Sequence, residues 1–108
     1  MKFHKDLTLE KWASYSFLMR LANIGSEVYR AISWRERQTP QQAEAAFYRS
    51  LELFDATKQT ATTRAELREV CRLNELWVDY FAGDNEYKSD KTFFNNYFDD
   101  ITLRARAR

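Results

Sequence analysis

Apolar residues recur three or four positions apart along most of this chain, the period of a helix with one buried face. Leu9, Trp12, Phe17, Leu18, Leu21, Ile24, Val28 and Ile32 make the first such series. Thr8 stands before it as an N-cap, Glu10 suits the positive end of the helix dipole, and Arg35 and Arg37 suit the negative end. The pattern predicts one long helix over 9–37 after a short polar leader, Met1 to Leu7. Gly25 inside it costs about 1 kcal/mol relative to Ala, which points to close approach of a neighbouring helix in preference to a merely tolerated imperfection.

A second helix is predicted over 40–57. Thr39 can cap it, Pro40 fills the first helical position and Gln42 can reach back to complete a capping box. Ala43, Ala46, Phe47, Leu51, Leu53 and Phe54 form its apolar face, and the Thr-rich stretch from Thr57 to Thr63 ends it. Thr63 with Glu66 makes another capping box, opening a third helix over 64–82 that should bury Leu67, Val70, Leu73, Trp77, Val78 and Phe81. Gly83 is expected to close it in the left-handed conformation. Ser89 is the expected cap of a fourth helix over 90–104, carrying Phe93, Phe94, Tyr97, Phe98 and Ile101 ahead of a fraying basic tail. Short connections between amphipathic helices favour antiparallel neighbours, so the reading is an all-α, up-down-up-down four-helix bundle over 1–108, in one domain.

Composition supports this picture. The 108 residues hold only two Gly and one Pro, too few for the turns of a β-sandwich, while 44% hydrophobic and 31% charged residues are ordinary for a globular domain. A net charge of +1 implies no global field for nucleic acid or an anionic membrane, so either would need a local patch. The apolar runs are far shorter than a membrane-spanning helix requires, and nothing at the N-terminus has signal-peptide form, so the expectation is a cytoplasmic protein with no membrane association.

No recognisable catalytic constellation accompanies the helices. The sole histidine, His4, lies in the leader, which removes the Glu-x-x-His pairs of di-iron bundles and any Cys/His zinc site. Two isolated glycines cannot build a phosphate loop. Cys71 has no histidine near it in sequence and reads as a small core or boundary residue. Glu44, Glu52, Glu66, Glu69, Glu75 and Asp79 could offer an oxygen-only cation site, but they also suit solvated helix faces. The expectation is no enzyme, no metal and no cofactor, with a divergent enzyme that uses a pocket of carboxylates as the less favoured alternative.

Two surface features remain. Arg64, Arg68 and Arg72 recur every four residues, and Arg104, Arg106 and Arg108 cluster in the tail. Either group could contact phosphates or an acidic partner, and either could equally be a solvated face stabilised by i, i+4 pairs. Aromatic residues reach 16%, and Tyr15, Tyr29, Trp34, Tyr48, Tyr80 and Tyr87 fall outside the best buried stripes. Beside arginines such residues serve as interface anchors, so Tyr29, Trp34, Tyr48, Tyr80 and Tyr87 are the candidates for self-association or partner binding. The alternative is that the tyrosines cover helix edges with their hydroxyls in water.

The words Leu7-Thr8-Leu9-Glu10-Lys11-Trp12, Asp79-Tyr80-Phe81 and Asp84-Asn85-Glu86-Tyr87 resemble those of a group of uncharacterised short prokaryotic four-helix proteins. The resemblance implies a shared fold and carries no active residues. More distantly, in shape, the chain is similar to the ribosomal-RNA intervening-sequence proteins and the Avd accessory proteins of retroelements. That likeness implies ring-like homo-oligomers and nucleic-acid binding. HEPN-type RNases are also small helical bundles, but their motif places a histidine four to six residues after an arginine, and this chain has no histidine beyond His4.

Overall fold

In a computed structural model that describes residues 1–107, the chain forms α1 (Leu9–Ser14), α2 (Phe17–Glu36), α3 (Pro40–Thr60), α4 (Arg64–Ala82) and α5 (Lys91–Arg106). Among the described residues the fold is all-helical. α2 is the central element and packs most extensively on α3 and then on α5, while α4 and the short α1 both lean on α3.

The helix expected over 9–37 is two helices. Tyr15 and Ser16 are extended, at φ −78°, ψ 149° and φ −61°, ψ 158°, and Ser16 Oγ starts α2 by accepting from Met19 N at 3.1 Å. Arg20, 4% exposed on the same face as Ile24, holds this break. Its Nε donates to the Tyr15 carbonyl at 3.2 Å, and its Nη1 donates to Thr60 O and Oγ1 at 3.0 and 2.8 Å. A carbonyl released from the helical ladder thereby gains a charged donor, and α1 can turn its buried Trp12 towards α3.

Two indoles fasten α1 and α4 to α3 in the same manner. Trp12 Nε1 donates to Thr57 Oγ1 at 2.9 Å, and Trp77 Nε1 donates to Ser50 Oγ at 2.8 Å. Each hydroxyl passes its own proton back to α3, Thr57 to Leu53 O at 2.7 Å and Ser50 to Phe47 O at 2.5 Å. Ser50 and Thr57 are wholly buried, and their seven-residue separation puts them on one face of α3. Around Trp77 the rings of Phe47, Phe81 and Phe94 lie at centroid distances of 5.8, 5.0 and 5.4 Å. Gly25 is where α2 meets α5, since a Cβ there would lie 2.7 Å from the Phe98 ring.

The helix ends differ from the expected caps in several places. Thr39 does not cap α3; its Oγ1 donates to Trp34 O at 2.8 Å, helping to close α2. Gln38, at φ 59°, takes the left-handed position there, and the Thr39 N–H also reaches Trp34 O, in the manner of a Schellman turn. α3 runs on to Thr60, beyond the expected end. Thr63 caps α4 through Glu66 N, but the Glu66 carboxylate returns to Thr62 N at 3.0 Å rather than to the cap residue. Gly83 is not left-handed, with φ −105°, ψ −158°; the positive φ falls on Asn85 and Lys88. The Asp79 carboxylate organises that connection, accepting from Glu86 N at 2.8 Å and Tyr87 N at 3.0 Å. Ser89 N instead donates to Asn85 Oδ1, and Asp90 caps α5, which continues to Arg106.

Candidate interaction surface

α4 buries Val70, Leu73 and Trp77 and leaves a second row uncovered. Leu67 and Val78, expected in the core, are 42% and 38% exposed, and Cys71, expected in the core or at its boundary, is exposed. The core-facing residues already fill the contact with α3 and α5. Leu67, Cys71 and Val78, together with the half-buried Asn74, therefore fall on the flank of the helix at spacings of four, three and four. Lys58 Nζ of α3 donates to Asn74 Oδ1 at 2.6 Å and borders this row. Beyond it lies a shallow groove of about 550 Å³ lined by Cys71, Asn74, Glu75, Val78, Asp79 and Tyr87.

The arginines divide by partner. Arg72 makes a two-point pair with Glu69, Nε to Oε1 at 3.0 Å and Nη2 to Oε2 at 2.9 Å, and Arg104 pairs with Asp100 at 3.1 Å. Arg64, Arg68 and Arg106 are exposed and have no carboxylate partner among the described residues. Arg108 lies outside the described residues. The structure brings the two arginine groups to adjoining helices, because Tyr97 Oη of α5 donates to Glu69 Oε2 of α4 at 2.5 Å. Burial first, then that hydrogen bond and the Glu69 charge, push the Tyr97 phenol far above its ordinary value, while the charges of Arg72 and Arg104 oppose the shift. The Arg72 hydrogen bond holds Glu69 below the usual carboxylate range against a smaller effect of burial.

The candidate aromatics do not gather on one face. Tyr29 is exposed beside the α2–α5 groove near Phe98, and Tyr87 flanks the α4 groove. Tyr48 stacks on Phe3 of the leader at 6.4 Å and borders a depression of about 580 Å³ with Phe47, Phe81 and Arg35. Tyr80 is half-buried against Trp77 and Phe94 beneath the Arg35 guanidinium, which also covers Phe81 at 4.0 Å. Trp34 is half-buried, with Arg37 over its ring at 5.5 Å.

Sequence reasoning missed a charged cluster that fixes the leader. Glu27 is 3% exposed and accepts from Arg30 Nη1 and Arg49 Nε, both at 2.6 Å. His4 Nε2 approaches it at 3.6 Å, while His4 Nδ1 lies 2.8 Å from Glu52 Oε1. Glu52 also accepts the backbone N–H of Phe3 at 2.7 Å and of His4 at 2.9 Å. Burial alone would push the Glu52 carboxyl up, but these hydrogen bonds and the His4 charge together bring it below its ordinary value. A signal was present, since Glu27 stands three residues after Ile24 and four before Ala31, on the apolar stripe of α2. Among the described residues no group of three or more His, Cys, Asp or Glu is placed to hold a metal ion. No described helix is long and apolar enough to cross a membrane.

These features define an all-helical domain with an uncovered apolar row and an adjoining basic edge. No protein-family model, curated protein sequence or solved structure matches the chain.

Proposed function

We propose that this chain is a non-enzymatic cytoplasmic interaction module that self-associates or binds a partner protein. The observation that carries the reading is the exposed apolar row of α4, Leu67, Cys71 and Val78, on the flank of a helix whose core-facing side is already packed. Neighbouring apolar side chains on a rigid helix lose little entropy on docking, and covering them removes apolar surface from water. The framework we propose is an antiparallel up-down-up-down four-helix bundle of α2 to α5, with α1 as an appendage on α3. Its support is the order of the contacts. Arg20 early in α2 meets Thr60 late in α3, whereas Glu27 further along meets Arg49. Lys58 meets Asn74 while Phe47 meets Phe81, and Glu69 meets Tyr97 while Trp77 meets Phe94.

Light scattering after size-exclusion chromatography across a wide concentration range, paired with capture of bound proteins, tests the function. Assembly, or a partner that competes for α4, is the expected result. A strict monomer that captures nothing overturns the reading.

A second reading, a nucleic-acid accessory protein with the shape of the intervening-sequence and Avd families, is favoured by one observation. Tyr97 of α5 donates to Glu69 of α4, the carboxylate that pairs with Arg72, so the helix carrying Arg64, Arg68 and Arg72 adjoins the one carrying Arg104 and Arg106. Phosphate contacts by such residues predict affinity for a short structured RNA that falls steeply with salt. Binding that is absent or indifferent to salt would rule this reading out.

A further inference from the structure

We infer that the partner of α4 is α4 of a second copy of this chain, docked antiparallel about a twofold axis; this rests on the interaction reading above. Leu67, Cys71, Asn74 and Val78 follow the four-three-four spacing with which one helix presents a seam to another. In an antiparallel register centred between Cys71 and Asn74, Leu67 of each copy packs on Val78 of the other. Cys71 then faces Asn74, and a polar residue at the centre of such a seam penalises other registers.

Charge selects both the partner and the direction. Arg64 and Arg68 border the N-terminal half of the seam, while Glu75 and Asp79 border the C-terminal half, followed by the exposed Asp84 and Glu86. Arg64, Arg68 and Glu75 have no ion-pair partner among the described residues. An antiparallel twofold dimer sets Arg68 opposite Glu75 and Arg64 opposite Asp79, and symmetry makes each pair twice. A parallel dimer would instead put Arg68 and Glu75 of the two copies on opposite sides of the seam, where these pairs cannot form. The surface is therefore complementary to itself in one orientation only. A seam of this length falls short of the ~1,200 Å² of a standard interface, so the dimer is weak and depends on concentration.

The test is sedimentation velocity on the full chain over a wide concentration series, at low and moderate salt. The expected result is a monomer–dimer equilibrium that weakens with salt. Leu67→Glu and Arg68→Glu should each lower the association constant about tenfold or more. Arg68→Glu combined with Glu75→Arg should restore it, and circular dichroism of all variants should match the parent, since these positions are exposed. A Leu67→Cys/Cys71→Ser/Val78→Cys variant should oxidise to a chain-to-chain disulfide joining positions 67 and 78, which lie too far apart along one helix to join within a chain. Links between identical positions would overturn the antiparallel register. A dimer or larger ring insensitive to Leu67→Glu would overturn the inference while leaving the interaction reading intact. So would a monomer that captures a different protein, and a monomer that captures nothing defeats both. Loss of RNA binding in Arg68→Glu without any change in sedimentation would assign the edge to nucleic acid instead.

Discussion

Trp77 donates its indole N–H to Ser50 Oγ at 2.8 Å, inside a site that is closed to water on both sides. Without the hydroxyl, the indole would be left as a buried donor with no acceptor. Ser50→Ala should therefore lower stability by about 1–3 kcal/mol, the desolvation penalty of an unsatisfied buried group. Thr57→Ala should do the same to the Trp12 anchor, with an added loss from the deleted methyl. Urea denaturation followed by tryptophan fluorescence reads both. A change under about 0.5 kcal/mol would show that the hydroxyls do not anchor the indoles.

Gly25→Ala sets helix propensity against packing. Propensity favours Ala by about 1 kcal/mol, but the new methyl would lie 2.7–2.8 Å from three atoms of Phe98, including its Cβ, which cannot swing away. Overpacking of this kind costs about 1–3 kcal/mol, so the net effect is expected to be destabilising. In a double-mutant cycle Phe98→Ala should relieve the part of the penalty due to the ring and leave the part due to the Cβ, which alanine retains. Additive effects would place the strain elsewhere.

The two arginines on Glu27 should not be equivalent. Arg30 is more than half exposed, whereas Arg49 is two-thirds covered and reaches Glu27 from a different helix. Arg30→Ala should cost under about 1 kcal/mol, as exposed pairs do. Arg49→Ala should cost on the order of 3 kcal/mol, because a buried carboxylate loses its long-range partner. Equal losses in thermal or chemical denaturation would contradict that ranking.

Acid should loosen the leader before it unfolds the helices. The Glu52 carboxyl is held below the 4.5 of the unfolded chain, so its contribution is fully present above that pH and is lost as pH falls through the lower folded value. The amides of Phe3 and His4 should then exchange faster with solvent, as hydrogen-exchange NMR would report. Glu52→Gln should give fast exchange already at neutral pH. If that variant protects both amides as well as the parent does, Glu52 is not the latch.

Alkali should act through Tyr97 with the opposite sign. Its phenol is raised above the ordinary 10.0, so the stabilisation it contributes is present below that pH and is lost as pH rises through the folded value. Spectrophotometric titration should show a tyrosine ionising well above the ordinary phenol range. Tyr97→Phe should remove that late step. A variant with an unchanged titration curve would refute the assignment.

That the chain is helical, and where most of its helices lie, is legible in the residues alone, because a three-to-four period and cap residues such as Thr8 and Thr63 act over single turns. The sequence also marks Gly25 as a point of close approach. The rest depends on contacts between segments far apart in the chain. The break at Tyr15 is held by Arg20, which also bonds Thr60, forty residues away. Glu27 is buried because Arg49 arrives from another helix, and no short-range rule anticipates that arrival. The left-handed turns at Gln38, Asn85 and Lys88 are held by hydrogen bonds at chain reversals, while Gly83 did not need its conformational freedom. Leu67 and Val78 show the limit most plainly. Periodicity assigns a residue to a face of its helix, but whether that face is covered depends on where the neighbouring helices end up. For α4, they leave one apolar flank open.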